Sequence, residues 1–412
     1  MGYCGDVNSE VNSCGANPAE MQEQSYTNPN ITLPGSLKRF ETMVENAMTY
    51  VEQELPKGKH VVGIMCEFTP REIIMAAGGM PVCLCGGSAK TIPAAEEFLP
   101  VNLCPLIKST YGYSITNSNP FLPHMELLVA ETTCDGKKKM YELLERRHPM
   151  YVLELPQKAG DADALFHWER ELHKLKAHLE TMFGEEITNE RLRDSIKVMN
   201  RERKLRRRLA QLMARPNSPI TGRQLLDLKS LISGIPEDLA AYEKGIEELE
   251  SAIVPASRKK PIRVLLTGVP TPHGAERVIN IIEQNGGLIV AQENCTGLKP
   301  IWTDVDENDP DPIHALAVKY FEMPCSVLTR NKGREELITE LAKEFNAEAV
   351  VDLSWMACIT YDIESALIKE LTEEKLGLPY LRISTDYSPN DTARIALRMQ
   401  ALFETASCSV SI

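Results

Sequence analysis

Short apolar runs alternate with amphipathic stretches along most of the chain. HVVGIM (60–65) is apolar and rich in β-branched residues, and PREIIMAAGGM follows it, with Pro70 at a helix start and Gly78-Gly79 at its end. LLVAETT (127–133) and MYVLELP (150–156) repeat the strand signal, and helical KKKMYELLERR lies between them. Strands spaced by helices predict a parallel sheet covered on both faces, because each crossover must carry the chain back over the sheet. Residues 35–158 are therefore expected to form a first α/β domain, preceded by a weakly structured arm over 1–34.

The period changes after residue 158. DALFHWERELHKLKAHLETMF and ERLRDSIKVMNRERKLRRRLAQLMA place apolar residues three and four apart, so 159–255 is expected to be a helical segment. Its RERKLRRR stretch (201–208) reads first as a solvated helix face, with a docking patch for an acidic partner as the sharper reading. From 256 to 412 the strand and helix signals return: IRVLLTG, LIVAQENC, AEAVVDLSW and PYLRIST are strand-like, and a helix ends at Gly286-Gly287. Both α/β regions run strand, Thr-Pro, helix, Gly-Gly, strand, with Thr69-Pro70 matching Thr271-Pro272. The expected fold class is thus α/β, with two Rossmann-like parallel-sheet domains related by an internal repeat and a helical segment between them.

Composition removes several functions. The net charge of −13 and pI of about 5.3 argue against a nucleic-acid binder, which would show a basic footprint. No apolar run is long enough to span a bilayer. MGYCGDVNSEVNSCGANPAE has no apolar signal core, so a cytoplasmic protein is expected. Met1-Gly2 resembles a myristoylation start, but Asp6 stands where Ser or Thr is wanted, and Cys408 is one residue too far from the end for a prenylation box. No Walker A sequence is present.

The informative residue is cysteine, with 11 in the chain. In a reducing compartment such thiols are buried, catalytic or metal-binding more often than disulfide-bonded. Cys104 and Cys134 are separated by the same 30 positions as Cys295 and Cys325, and Cys358 follows 33 later. That is about one βα unit, so successive cysteines can land at one edge of a parallel sheet, where open α/β sheets build sites. Cys66, Cys104, Cys134, Cys295, Cys325 and Cys358 all lie beside Gly, Pro or strand–helix junctions. A single such cysteine is best read as a small buried hydrophobe; six together point to metal. Zinc is disfavoured because no close C-x2-C pair occurs, whereas soft thiolates at long spacing suit an iron–sulfur cluster.

GIMCEFTPREIIMAAGGMPVCL (63–84) resembles the opening of 2-hydroxyacyl-CoA dehydratase and benzoyl-CoA reductase subunits, with Cys66, Pro70 and Glu72 in the motif positions. Typical dehydratase subunits of that family hold one cubane on three cysteines. The second cysteine set here is more similar to the double-cubane cluster proteins of the family. That resemblance implies an 8Fe-9S cluster of two bridged 4Fe-4S cubanes, with Cys66, Cys104 and Cys134 on one and Cys295, Cys325 and Cys358 on the other. It further implies a homodimer that reduces small molecules, with electrons from a separate ATP-hydrolysing reductase carrying its own 4Fe-4S cubane. The alternatives are a dehydratase-like subunit with a single 4Fe-4S cluster, or a non-catalytic electron carrier.

On the repeat, Cys295 lies nearer the counterpart of Cys83 and Cys85 than of Cys66, so which of these completes the first cubane is open. Cys83 and Cys85 flank Leu84 and would share one strand face; core packing, or a place just behind the cluster ligands, is the first reading for them. Glu67 and His273 follow the first strands and are weaker candidates as proton donors, a cap or surface contact being the plainer role. Lys137, Lys138 and Lys139 read as a solvated helix end, with cluster charge compensation as the sharper alternative.

Overall fold

The computed structural model describes residues 32–254 and 260–409. Cys4, Cys14 and almost all of the expected arm lie outside the described residues. After α1 (Met43–Glu54), the strands β1 (His60–Ile64), β2 (Gly79–Cys83), β3 (Met125–Glu131) and β4 (Met150–Leu153) form a parallel sheet ordered β2-β1-β3-β4. Its helices are α2 (Arg71–Ala76), α3 (Ile92–Ala95), α4 (Pro105–Thr116) and α5 (Asp135–Leu144). Four helices follow: α6 (Ala162–Phe183), α7 (Asn189–Gln211), α8 (Gly222–Asp227) and α9 (Pro236–Ser251).

The second sheet repeats the first. β5 (Ile262–Gly268), β6 (Gly287–Glu293), β7 (Ala349–Trp355) and β8 (Tyr380–Thr385) are parallel and ordered β6-β5-β7-β8. α10 (Arg277–Gln284), α11 (Pro312–Phe321), α12 (Lys332–Glu344), α13 (Ile359–Glu370) and α14 (Thr392–Ser409) complete the chain. The fold is α/β with two Rossmann-like sheets. Every residue of β6 and β7 is buried, which is why their sequences read as unbroken apolar runs rather than alternating ones. Strand order reverses between β1 and β3 in one sheet and between β5 and β7 in the other, and crevices open at such points.

The helical segment binds the halves together. Asp161 caps α6 by accepting from the Asp163 and Ala164 N–H groups, and Trp168, Leu172, Leu175 and Leu179 line its buried face at the three- and four-residue spacing of one helix side. α7 reaches both halves. The Arg203 guanidinium, nearly fully buried, donates to Glu72 in α2 and to the Tyr320 hydroxyl in α11. Arg207 donates to the Ile301 carbonyl and pairs with Asp304, while Arg201 and Arg208 pair with Glu243 and Glu250. The basic run is therefore not a bare solvated face: all five of its arginines, Arg206 with Glu202 included, have intramolecular acidic partners.

After α8, residues 228–234 run back along the first sheet. Ile232 bridges Val82 in antiparallel fashion, and the Cys83 N–H donates to the Leu231 carbonyl at 3.0 Å. This covers β2, which would otherwise be an open sheet edge. The halves also touch directly at Gly87, where an added Cβ would sit 2.2 Å from the His273 carbonyl oxygen. Among the described residues no helix is long and apolar enough to cross a membrane.

Candidate metal centre

The carboxyl ends of both sheets open onto one cavity of about 790 Å³. Met65 and Cys66 enter it after β1, Cys83 and Cys85 from the end of β2, and Cys134 after β3; Pro270, Cys295 and Cys358 enter after β5, β6 and β7. Cys104 and Cys325 complete a set of eight cysteines on its wall. All eight are free thiols. Cys104, Cys134 and Cys358 stand at the first turns of α4, α5 and α13, where unpaired N–H groups favour a thiolate.

The six cysteines of the expected ligand set are thus brought together, although their neighbours cross the halves. Cys104 and Cys358 are hydrogen-bonded to each other, and Cys134 is close to Cys104. Cys66 lies near Cys295 and Cys325, and Cys134 is also near Cys325. The hydrogen bond from Cys358 and two N–H groups at the start of α4 bring the Cys104 thiol down to about 7, against burial. Burial pushes Cys66 and Cys134 up, and Cys295 up to about 12. Ionising several such thiols in one pocket is costly without positive charge among them, and a soft cation coordinated by thiolates supplies it. The donor set therefore fits a thiolate-bound iron–sulfur cluster.

Half-buried Lys137 and buried Lys299 provide part of that charge. Lys137 donates to the Met65 carbonyl at 2.7 Å and lies near Cys66, Cys85 and Cys134. Lys299 lies near Cys295 and Cys325, and pairs with buried Glu293 at 2.8 Å. The reading of Lys137 as part of a solvated helix end is corrected here. Only Lys138 and Lys139 point outward, pairing with Asp135 and Glu142.

Other candidates acquire partners. Cys83 ends β2 and accepts from Arg71 Nη2 at 3.3 Å, while Cys85 lies beyond the strand and donates to the Met65 carbonyl at 3.1 Å. Glu67 is held by both Arg71 nitrogens at 2.8 and 3.0 Å. Burial pushes its pKa up, but the ion pair outweighs this and the net shift is downward, so Glu67 is a carboxylate rather than a proton donor. His273 pairs with Glu276 at 3.3 Å. With Asp227 these form a cluster of metal-ligand type, but Arg223 already contacts both carboxylates and takes the cation's place.

Most of the chain is similar to one family of known proteins. Residues 66–406 match the family model described as 2-hydroxyglutaryl-CoA dehydratase, D-component. The chain belongs to the 2-hydroxyacyl-CoA dehydratase family. It is 36% identical over 383 residues to YjiM of Escherichia coli, a protein named as a dehydratase subunit, covering 90% of this chain and 98% of that one. It is 21% identical to the beta subunit of (R)-2-hydroxyglutaryl-CoA dehydratase from Acidaminococcus fermentans, again over 90% and 98% of the two chains. A benzoyl-CoA reductase subunit from Thauera aromatica is 25% identical over 85% of this chain and 91% of its own. The residues that carry the resemblance, Cys66, Pro70 and Glu72, fall at the start of the matched region. Pro70 precedes α2, and Glu72 is the buried partner of Arg203.

Sequence reasoning missed the part played by the helical segment. Arg206 from α7, and Lys229, Ser230, Leu231 and Ser233 from the 228–234 loop, form one wall of the cavity. A faint signal was available in LKSLISG, whose Ser and Gly residues mark a loop carrying an isolated lysine.

Proposed function

We propose that this chain is an iron–sulfur reductase component that holds an 8Fe-9S double cubane on Cys66, Cys104, Cys134, Cys295, Cys325 and Cys358 and reduces small molecules. The observation that carries the reading is the convergence of cysteines from both halves on one cavity. The neighbours of each thiol are compatible with two triads that cross the repeat, Cys66 with Cys295 and Cys325, and Cys104 with Cys134 and Cys358, while Cys134 also lies near Cys325. When bound, such a cluster supplies low-potential electrons. The chain's own residues supply the thiolates, offset their charge through Lys137 and Lys299, and exclude bulk water. Electrons would come from a separate ATP-hydrolysing reductase with its own 4Fe-4S cubane; relatives named as subunits of dehydratases and of a reductase support a system of several components.

A homodimer belongs to this reading. α13, which starts beside Cys358, exposes Ile359, Ile363 and Leu367 at four-residue spacing, 64%, 71% and 55% accessible. Such a stripe is expected to be covered. The second reading, a dehydratase-like subunit with one 4Fe-4S cluster, draws on the names of the relatives.

The readings separate by metal content. Anaerobically purified protein is expected to hold about eight irons per chain, against about four for a single cubane. Serine at any one of Cys295, Cys325 or Cys358 is expected to lower iron content and abolish ATP-driven reduction, because a hard hydroxyl is a poor ligand for iron in a sulfide cluster. Serine at exposed Cys408 is the silent control. Full iron and activity in two of the three variants would reject the double cubane.

A further inference from the structure

The cations around the cavity fall into two groups. Lys137 and Lys299 lie among the cysteines of the proposed cluster. Lys229, Arg206 and Arg71 lie on the wall near Cys83. The acids nearest this second group are already matched: Glu67 with Arg71, Asp227 with Arg223, Glu276 with His273 and Arg223, and Glu202 with Arg206 at 3.7 Å. The Lys229 ammonium has no hydrogen-bond or ion-pair partner among the described residues. Arg71 is only 7% exposed, and its Nε is buried with no partner. A wall with an uncompensated cation and an orphaned buried donor is short of negative charge and of acceptors.

We propose that Lys229, with Arg206, Ser230 and Ser233, binds the oxyanion group, carboxylate or phosphate, of the small molecule reduced in this cavity. The inference rests on the reductase reading for the fate of the ligand, but not for its binding. All four side chains can donate to an oxyanion: an ammonium, a guanidinium and two hydroxyls. The cavity volume is that of a small-molecule site. Burial beside Arg206 pulls the Lys229 ammonium down to about 8, as expected for a cation whose counter-charge arrives with a ligand. The 228–234 loop fixes the geometry, since its bridge to β2 places Lys229 two residues from the Cys83–Leu231 hydrogen bond.

The test is anaerobic titration calorimetry of the full chain as purified, with acetate, inorganic phosphate and, as a neutral control, acetamide. Saturable binding of acetate or phosphate is expected, and which of the two binds tells carboxylate from phosphate. Acetamide is expected not to bind. Lys229→Met is expected to weaken binding about tenfold or more, and Lys229→Arg to restore most of it, as loss and replacement of one charge-assisted contact require. Arg206→Gln gives a second, independent weakening. Iron content is expected to be unchanged in all three variants. No saturable binding of either anion, or equal affinity in Lys229→Met, would overturn the proposal. So would loss of iron in Lys229→Met, which would make the lysine a counter-charge to the cluster. Anion binding by a chain that carries no iron would sink the reductase reading and leave this subsite standing.

Discussion

Position sets the chemistry of individual side chains here more than residue type does. Lys137, Lys138 and Lys139 are identical and adjacent, yet one faces the cavity while two carry surface ion pairs. Successive helix positions differ by about 100°, so sequence showed that one lysine of three could face inward but not which. The cysteines were more legible, because Gly, Pro and strand–helix junctions mark loops whatever the tertiary packing. Their grouping was not legible, since it depends on how the halves meet. Glu283 gives a test at this scale, far from the cysteines. It is buried in α10 and accepts from the Gly222 and Arg223 N–H groups at 2.7 and 3.3 Å. Burial raises its pKa from 4.5 to about 7 despite those donors. The carboxyl is therefore favoured in its neutral form when folded. Its contribution is fully present below about 4.5 and is lost as pH rises through about 7. Replacing Glu283 with Gln removes that dependence. Urea unfolding at pH 5 and pH 8 should show the variant gaining on wild type at pH 8, by at most about 3 kcal/mol. An equal difference at both values would contradict the assignment.

Among the elements, strands were the most legible, because parallel strands covered on both faces read as plain apolar runs. The repeat was legible too, and both sheets share one strand order. α7 was misread because composition does not reveal burial. RERKLRRR looks uniformly solvated, but Arg203 is 2% exposed and ties α2 to α11 through Glu72 and Tyr320, whereas Arg208 pairs with Glu250 at the surface. These two arginines, five apart on one helix, should differ sharply. Arg203→Ala strands the Glu72 carboxylate in the core and is expected to cost roughly 3–5 kcal/mol. Arg208→Ala removes a half-exposed pair and is expected to cost under about 1 kcal/mol. Chemical denaturation of the two variants measures both, and similar losses would show that Arg203 is not the link between the halves.

For the whole molecule the decisive contact is the one between the halves, because the cavity exists only when they are docked. Its wall takes residues from both sheets and the helical segment. One apolar core includes Val61, Leu128, Ile232, Val264 and Trp355, from both sheets and the connecting loop. At Gly87 the two backbones meet so closely that a methyl group would overlap the His273 carbonyl. Gly274, opposite, has φ +98°, a conformation that favours glycine. Gly87→Ala touches no cysteine, but it forces the halves apart unless the backbone yields. If each half held its own cubane, the variant would keep its iron and lose only communication between the two. If the triads cross the repeat, parting the halves draws Cys66 away from Cys295 and Cys325, and Cys104 from Cys358, so both sites fail together. The crossing arrangement predicts that Gly87→Ala loses most of its iron. It should also melt several degrees below wild type, since cluster binding contributes to folding stability. Chelating the iron from wild type should lower its melting temperature in the same way. Iron analysis and calorimetry on the variant decide between the two arrangements: a folded Gly87→Ala protein with its full iron complement would assign one triad to each half.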